Sequence, residues 1–308
     1  MLGERVIPPL ETIRTALHFG SGEYDFAVLT VRLPRALVGL LAGCGLALSG
    51  TVLQGITRNP LASPGVLGLN SGAAAAAVAV IVLFPSFPMR SLPIAAFGGA
   101  LLAASLIYIF SWRQGQAGLS GRILLVGIGI SAMAGGVISY LLTLGEIFRV
   151  TQAAVWMAGS LYGRTWEHFW PLLPWVAILA PVLLLLSRSL DLFQLGDNTA
   201  IGLGLRLELM RGLFIIIAVG LAGSAVSMAG TITFVGLMGP HIARGLVGGQ
   251  SRRLLPAAAL CGALLVLIAD LTGRLVFSPY EIPVGLVTAL IGAPYMIQIL
   301  RRKAGAIK

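Results

Sequence analysis

The side chains that could hold a metal or act as a nucleophile are few and scattered. Three histidines (His18, His168 and His241) and two cysteines (Cys44 and Cys261) lie far apart in the chain. No His/Cys spacing of a metal site can be drawn from them, and no CxxC pair is present. Both cysteines fall inside apolar runs, where a free thiol behaves as a small hydrophobe. The only lysines are Lys303 and Lys308, so no GxxxxGK[ST] phosphate loop exists and the chain does not hydrolyse ATP by that route. Acids inside apolar runs, the usual mark of proton or sodium coupling, reduce to Asp270. Arg274 stands four residues further on, the spacing of a helical ion pair. No paired carboxylates sit at run ends to hold a diphosphate through Mg²⁺. With no energy-converting site of its own, the chain is expected to draw on another chain for energy, which disfavours a secondary transporter.

The elements that carry these residues are membrane helices. Of 308 residues, 57% are hydrophobic and 10% charged, where a soluble protein averages about 25% charged. Mean hydropathy is +0.94. Apolar runs long enough for a hydrocarbon core of about 30 Å recur at 36–55, 66–84, 92–112, 123–144, 169–187, 212–236, 254–272 and 282–300. Two shorter pieces, 150–162 and 237–248, read as partial or re-entrant helices. The runs lack the two-residue alternation of barrel strands, so a β-barrel is excluded together with a soluble enzyme and a secreted disulfide scaffold. The expected fold is an all-α polytopic membrane protein.

The net charge of +10 would suggest nucleic acid in a soluble protein. Here the basic residues are scattered at span ends and act as topology signals, so no nucleic-acid partner is expected. If Arg301-Arg302-Lys303 is cytoplasmic and 237–248 crosses back, thirteen of the 21 Lys/Arg lie inside. Arg90, Arg149, Arg164 and Arg274 then lie outside between spans. The N-terminal segment 1–35 starts outside, its four arginines balanced by Glu4, Glu11, Glu23 and Asp25. A permease domain over 36–302 and a cytoplasmic tail at 303–308 complete the organisation. At an offset of 175, Gly45-Leu46-Ala47-x-Ser49 with Gly55 repeats as Gly220-Leu221-Ala222-x-Ser224 with Gly230, a weak signal that two halves share one unit. Spacings such as Gly39-x-x-x-Gly43 and Gly159-x-x-x-Gly163 read as close-packing devices between helices.

Three polar stretches remain. The first runs from Arg32-Leu33-Pro34-Arg35 through Leu48-Ser49-Gly50 and Gln54 to Arg58-Asn59-Pro60-Leu61-Ala62-Ser63-Pro64-Gly65. The second holds Leu190-Asp191-Leu192, Leu195-Gly196-Asp197, Ala200, Leu203-Gly204 and Arg211. The third holds Phe234-Val235-Gly236-Leu237, Pro240-His241, Arg244, Asp270, Arg274, Glu281-Ile282-Pro283-Val284-Gly285 and Gly292-Ala293-Pro294. At these residues, from about 20 to 302, the chain resembles the FecCD family, permease subunits of bacterial ABC importers for iron chelates, haem and vitamin B12. Its likeness to ferric citrate and ferric siderophore permeases rests on Gln54-Gly55 with Arg58 to Pro64, Gly159-Ser160-Leu161-x-Gly163-Arg164-x-Trp166 and Leu195-Gly196-Asp197.

The resemblance implies a type II ABC importer subunit. Members carry ten spans, and the one preceding the segment before Arg32 has no counterpart here, leaving about nine; a different start, a truncated N-terminus and a natural nine-span form all fit. It implies a cytoplasmic coupling loop at about 188–211, in which Leu195, Gly196, Asp197, Ala200, Leu203, Gly204 and Arg211 seat in an ATPase groove. The small residues permit close docking, and Asp197 near a helix start would cap it or favour its dipole. It implies that Arg32, Arg35 and Arg274, at outer span ends, dock acidic residues of a substrate-binding protein; anchoring at headgroups is the plainer alternative. Gln54, Asn59, Pro240 and His241 are candidate pathway residues, with ordinary structural roles as the alternative. The expected partners are a second permease subunit, two ATP-binding subunits, an extracytoplasmic binding protein and the lipid bilayer. The chain itself needs no cofactor, ATP and Mg²⁺ belonging to the ATPase. The expected location is the bacterial cytoplasmic membrane, with the C-terminus inside.

Overall fold

The structure, a computed structural model, describes residues 7–16, 19, 22–111, 119–276 and 280–305. His18, Arg113, Ser278-Pro279 and the tail residues 306–308 lie outside the described residues, as do residues 1–6 of the N-terminal segment. Every regular element among the described residues is helical. In chain order these are α1 (Pro9–Ala16), α2 (Leu33–Thr57), α3 (Leu69–Leu83), α4 (Leu92–Ser111), α5 (Leu119–Leu144), α6 (Ile147–Met157), α7 (Trp166–Leu185), α8 (Ser187–Gln194), α9 (Asp197–Gly202), α10 (Leu207–Ala229), α11 (Val235–Val247), α12 (Ser251–Leu275) and α13 (Val284–Gly305). A wide π-helical stretch, Phe26–Arg32, leads directly into α2, whose first turn carries Pro34. Proline has no N–H to donate back at this junction, and the Leu29 carbonyl one turn earlier accepts the indole N–H of Trp166 at 2.9 Å.

Six helical stretches among the described residues are long and apolar enough to cross a membrane: Phe26–Thr57, Met89–Ser111, Gly121–Leu144, Trp166–Leu185, Leu207–Ala229 and Ser251–Leu275. Leu69–Leu83 and Val284–Ile299 are shorter apolar helices. The protein is therefore a multi-pass helical membrane protein. In hydrocarbon every backbone N–H and C=O must be satisfied within the chain, and helices do this segment by segment.

Two antiparallel helices form the centre. The most apolar windows of the Phe26–Thr57 stretch and of α10 are 83% and 78% buried, against 17% for α5 and 22% for α7. Ser49 Oγ on α2 donates to the carbonyl of Ala218 on α10 at 2.7 Å, and a β-carbon on Gly45 would lie 3.0 Å from the Leu221 carbonyl oxygen. The two segments matched at an offset of 175 thus pack against each other. On its other sides α2 meets α12 and α11 at backbone contact. A β-carbon on Gly43 would fall 2.3 Å from the Gly262 carbonyl oxygen, and one on Gly50 only 1.7 Å from that of Gly236. In lipid, where apolar burial gives no net drive between helices, such close approach supplies the van der Waals attraction.

Two expected boundaries are revised. The 150–162 piece is helical only to Met157, and residues 158–165 are a loop. Gly159 and Gly163 hold φ of +69° and +68° there, so that pair shapes a turn and is not a helix-packing motif. The span read at 212–236 is α10, starting five residues earlier and stopping at Ala229. Gly230 closes it at φ +76°, a conformation that costs a β-carbon. Residues 230–234 are extended or irregular before α11 begins.

Candidate functional site

The loop after α7 folds into an elbow of two short helices, α8 and α9, that joins α7 to α10. Gly196 separates them at φ +97°. The side-chain-free face of Gly196 also admits Arg58, whose Nη1 would lie 3.2 Å from a β-carbon there. Arg58, at φ +53°, is the C-cap of α2. Its guanidinium reaches Asp197 Oδ1 at 3.2 Å, while Arg211 near the start of α10 donates to Asp197 Oδ2 at 3.0 Å. Arg211 also pairs with Glu208 at 2.9 Å and stands 5.8 Å from the centre of the Phe193 ring on α8.

Burial separates the two arms of this bridge. The Arg211 side chain is 3% exposed and that of Arg58 38%. An exposed pair contributes about 0–1 kcal/mol, whereas losing one partner of a buried pair costs about 3–5 kcal/mol. Arg211 is therefore the anchor and Arg58 the adjustable arm. Asp197 occupies the first position of α9, and its side chain makes no capping bond; Gly196 is the N-cap. The capping role read from the sequence gives way to a bridging one, with the carboxylate still at the positive end of α9. A second carboxylate of the elbow, Asp191, accepts the backbone N–H of Ser251 at 2.8 Å and caps α12.

The outer surface of the elbow carries an apolar patch among the exposed polar residues Gln194, Asn198 and Thr199. Leu195, Ile201 and Leu203 are 58%, 56% and 59% exposed, beside exposed Gly202 and Gly204, while Ala200 is buried beneath them. Gly204 holds φ +86°. Seven residues named from the sequence (Leu195, Gly196, Asp197, Ala200, Leu203, Gly204 and Arg211) thus form one structural unit. Arg58, Asp191 and Phe193 complete it and lie outside the set of site residues that the sequence picks out.

At the far end of α2, Arg35 is 8% exposed and holds two acids. Its Nη2 lies 2.7 Å from Asp270 Oδ1 and 2.8 Å from Glu281 Oε2. Arg274 Nε adds 3.3 Å to Asp270 Oδ2, the i,i+4 pair read from the spacing. Arg32, one turn before Arg35, is half-buried. Across this end the 158–165 loop carries Arg164, which donates to the Ser160 carbonyl at 3.2 Å and contacts His168 Nε2 at 3.0 Å. Burial lowers the Arg164 guanidinium to about 10, which leaves it a cation at neutral pH.

The four pathway candidates lie at or near the contact of α2 with α11. Gln54 is 4% exposed, and its Oε1 accepts from Arg244 Nη1 at 3.4 Å. Pro240 is buried within α11, and the His241 ring meets Tyr295 of α13 edge-on at 5.9 Å. Asn59 turns its side chain back to accept the Leu61 N–H at 2.9 Å, an Asx turn before the α3 loop. A cavity of about 350 Å³ opens beside the α10–α11 break, lined among others by Ser63, Asn70, Thr231, Thr233 and Phe234. Phe234 holds φ +64°, a left-handed conformation that strains a bulky residue. Asn70 Nδ2 donates to the Ile232 carbonyl at 3.3 Å, and Thr231 Oγ1 to that of Met157. The sequence does not reveal this cavity, because its polar residues come from separate segments.

A bundle of apolar helices that presents a braced, apolar elbow at one end and a charged clamp at the other has the build of a membrane transport subunit that works with other chains. The chain belongs to the FecCD transport family, whose model matches residues 1–302. It is 44% identical over 283 residues to the Fe(3+)-citrate import system permease protein YfmE of Bacillus subtilis (strain 168), covering 91% of this chain and 84% of that protein. It is 40% identical over 308 residues to the Iron(3+)-hydroxamate import system permease protein FhuG of the same organism, covering 98% and 91%. A solved metal-chelate type ABC transporter in an inward-facing conformation matches with a TM-score of 0.84 at 32% identity, over 95% of this chain and 97% of that one.

Proposed function

We propose that this chain is the transmembrane permease subunit of an ATP-binding cassette importer that moves an iron(III) chelate across the bacterial cytoplasmic membrane by alternating access. The family membership supports the class, and the names of the relatives support an iron chelate as cargo. The observation that carries the mechanism is the α8–α9 elbow: an exposed apolar knob fixed by ion pairs to membrane helices transmits force from a partner rather than flexing away from it.

In this reading α8, α9 and the start of α10 face the cytoplasm and seat in one of two ATP-binding subunits. ATP and Mg²⁺ act there, and this chain is not itself the enzyme. The eight apolar helices and α11 make nine crossings, with the C-terminus on the cytoplasmic side. A second permease subunit, identical or paralogous, completes the pathway. The cavity by the α10–α11 break and the α2–α11 contact at Gln54, Pro240 and His241, with Asn59 beyond the end of α2, lie along it. Arg32 and Arg274 at the outer end meet acidic residues of the binding protein, while Arg35 holds the platform under them.

Gly202 gives a direct test of the docking surface. It is exposed and helical, and a β-carbon added to it would meet no atom within 4 Å, so a large side chain adds bulk outward without straining the fold. The wild-type permease is expected to co-purify with its ATP-binding subunit, and Gly202→Trp to lose that association while remaining folded in the membrane. Undiminished association of the variant would refute the docking assignment.

A further inference from the structure

The elbow is tied to more of the membrane domain than its covalent ends require. It continues from α7 into α10, yet its two carboxylates reach helices to which it is not directly joined. Asp197 holds Arg58 at the end of α2, and Asp191 caps α12 at Ser251. Asp197 simultaneously holds Arg211 in the first turns of α10. Helix α2 packs at backbone distance against both neighbours, Gly43 against Gly262 of α12 and Gly45 against the Leu221 carbonyl of α10, with no room for a β-carbon at either glycine. A push on the elbow therefore reaches three helices at once, through charge-assisted hydrogen bonds to Arg211 on α10 and to the Ser251 N–H on α12 and through an ion pair with Arg58 at the end of α2. By contrast α5 has most of its surface unburied.

The charges within the joint balance. Arg58 and Arg211 face Asp197 and Glu208, so the joint holds together without an outside counter-ion. Its exposed arm, Arg58, belongs to the short connection from α2 to α3 that includes Ser63, a residue lining the cavity. The buried arm, Arg211, is walled by the Phe193 ring. Position 196 favours glycine, since its φ is +97°, and the Arg58 guanidinium lies close beside it.

We propose that Asp197 is a positioning residue that locks the coupling elbow to α2 and α10, so that movement of the ATPase is converted into movement of these helices and of the cavity wall. The inference rests on the reading of the elbow as the ATPase-docking element. It assigns Asp197 an internal task instead of a contact with the ATPase.

The test uses the complete importer in proteoliposomes, with its ATP-binding subunits, second permease subunit and binding protein, and ferric citrate as the probe cargo. Three quantities are read: ATPase association, ATP hydrolysis and chelate taken up per ATP hydrolysed. Asp197→Asn, which keeps the shape and removes the charge, is expected to retain association and hydrolysis but to lower uptake per ATP about tenfold, the scale of a typical intersite coupling. Arg58→Gln removes only the half-exposed arm, so it should spare the fold and lower the ratio in the same direction but by less than Asp197→Asn. The double variant should be no worse than Asp197→Asn alone, because that substitution already breaks the Arg58 contact. Asp197→Glu, which restores the charge, should recover part of the ratio. An unchanged ratio in Asp197→Asn, or additive losses in the double variant, would overturn the lock. Loss of ATPase association in Asp197→Asn would also overturn it, by making Asp197 a docking contact while leaving the coupling reading intact. Failure of the wild-type chain to bind the ATPase would sink the coupling reading itself.

Discussion

Asp191 Oδ1 accepts the backbone N–H of Ser251 at 2.8 Å, so the first turn of α12 is capped by a carboxylate 60 positions earlier in the chain. The residue at the N-cap, Gln250, makes no side-chain cap bond of its own. Asp191 therefore supplies from α8 what Ser, Asp or Asn usually supply from the helix's own N-cap. At its other end the same 25-residue helix carries Asp270, held by Arg35 and Arg274. One helix is thus fastened at the elbow and at the far end, with a span of about 37 Å between its ends.

The cap at Asp191 should be measurable by itself. Asp191→Ala is expected to lower stability by about 0.5–2 kcal/mol, the range for removing an N-cap. Thermal unfolding of the detergent-solubilised protein would register it as a lower midpoint. A midpoint equal to that of the wild type would mean that the bond carries no load.

The Arg35 clamp should cost more. Asp270→Asn leaves a buried guanidinium with Glu281 alone, and removal of one partner from such a pair costs about 3–5 kcal/mol. Arg274→Gln removes only the longer, 3.3 Å partner of Asp270 and leaves Arg35 in place, so it should cost less than Asp270→Asn. Folded yield and thermal midpoint compared between the two variants decide the matter. Equal losses would contradict the assignment of Arg35 as the principal holder of Asp270.

Docking of the binding protein is expected to depend on charge at the same end. Arg32→Glu combined with Arg274→Gln should weaken binding about tenfold at low ionic strength and flatten its salt dependence, since complementary charges act mainly on encounter. The measurement is binding-protein affinity for reconstituted permease across a salt series. An unchanged affinity and salt slope would leave these arginines as helix anchors.

Much of this architecture is legible in the sequence because the membrane permits so few backbone solutions. The apolar runs map onto helices, and the Asp270–Arg274 pair follows from spacing alone. Long-range partnerships are not legible. Arg35 reaches Asp270 across 235 positions, and nothing local distinguishes it from Arg32. The dipole argument correctly sets Asp197 at a helix start, but its two arginine partners come from helices that only the fold brings together. The end of α10 escapes a hydropathy reading because 230–236, Gly-Thr-Ile-Thr-Phe-Val-Gly, stays hydrophobic through the break, so hydropathy runs on where the backbone does not. Gly159 and Gly163 mislead for the opposite reason. Their four-residue spacing is that of a helix face, yet both hold left-handed φ in a loop.

In the function proposed above, this chain is a passive permease driven by ATP hydrolysed in another subunit. Its most direct test is uptake of a radiolabelled iron(III) chelate into proteoliposomes containing the permease, its ATP-binding subunit and the binding protein. The assay is run with an intact and with a hydrolysis-deficient ATPase, in the presence and absence of a proton gradient. Accumulation is expected to require ATP and the intact ATPase and to be indifferent to the gradient. Uptake that survives the inactive ATPase and follows the proton gradient would contradict it.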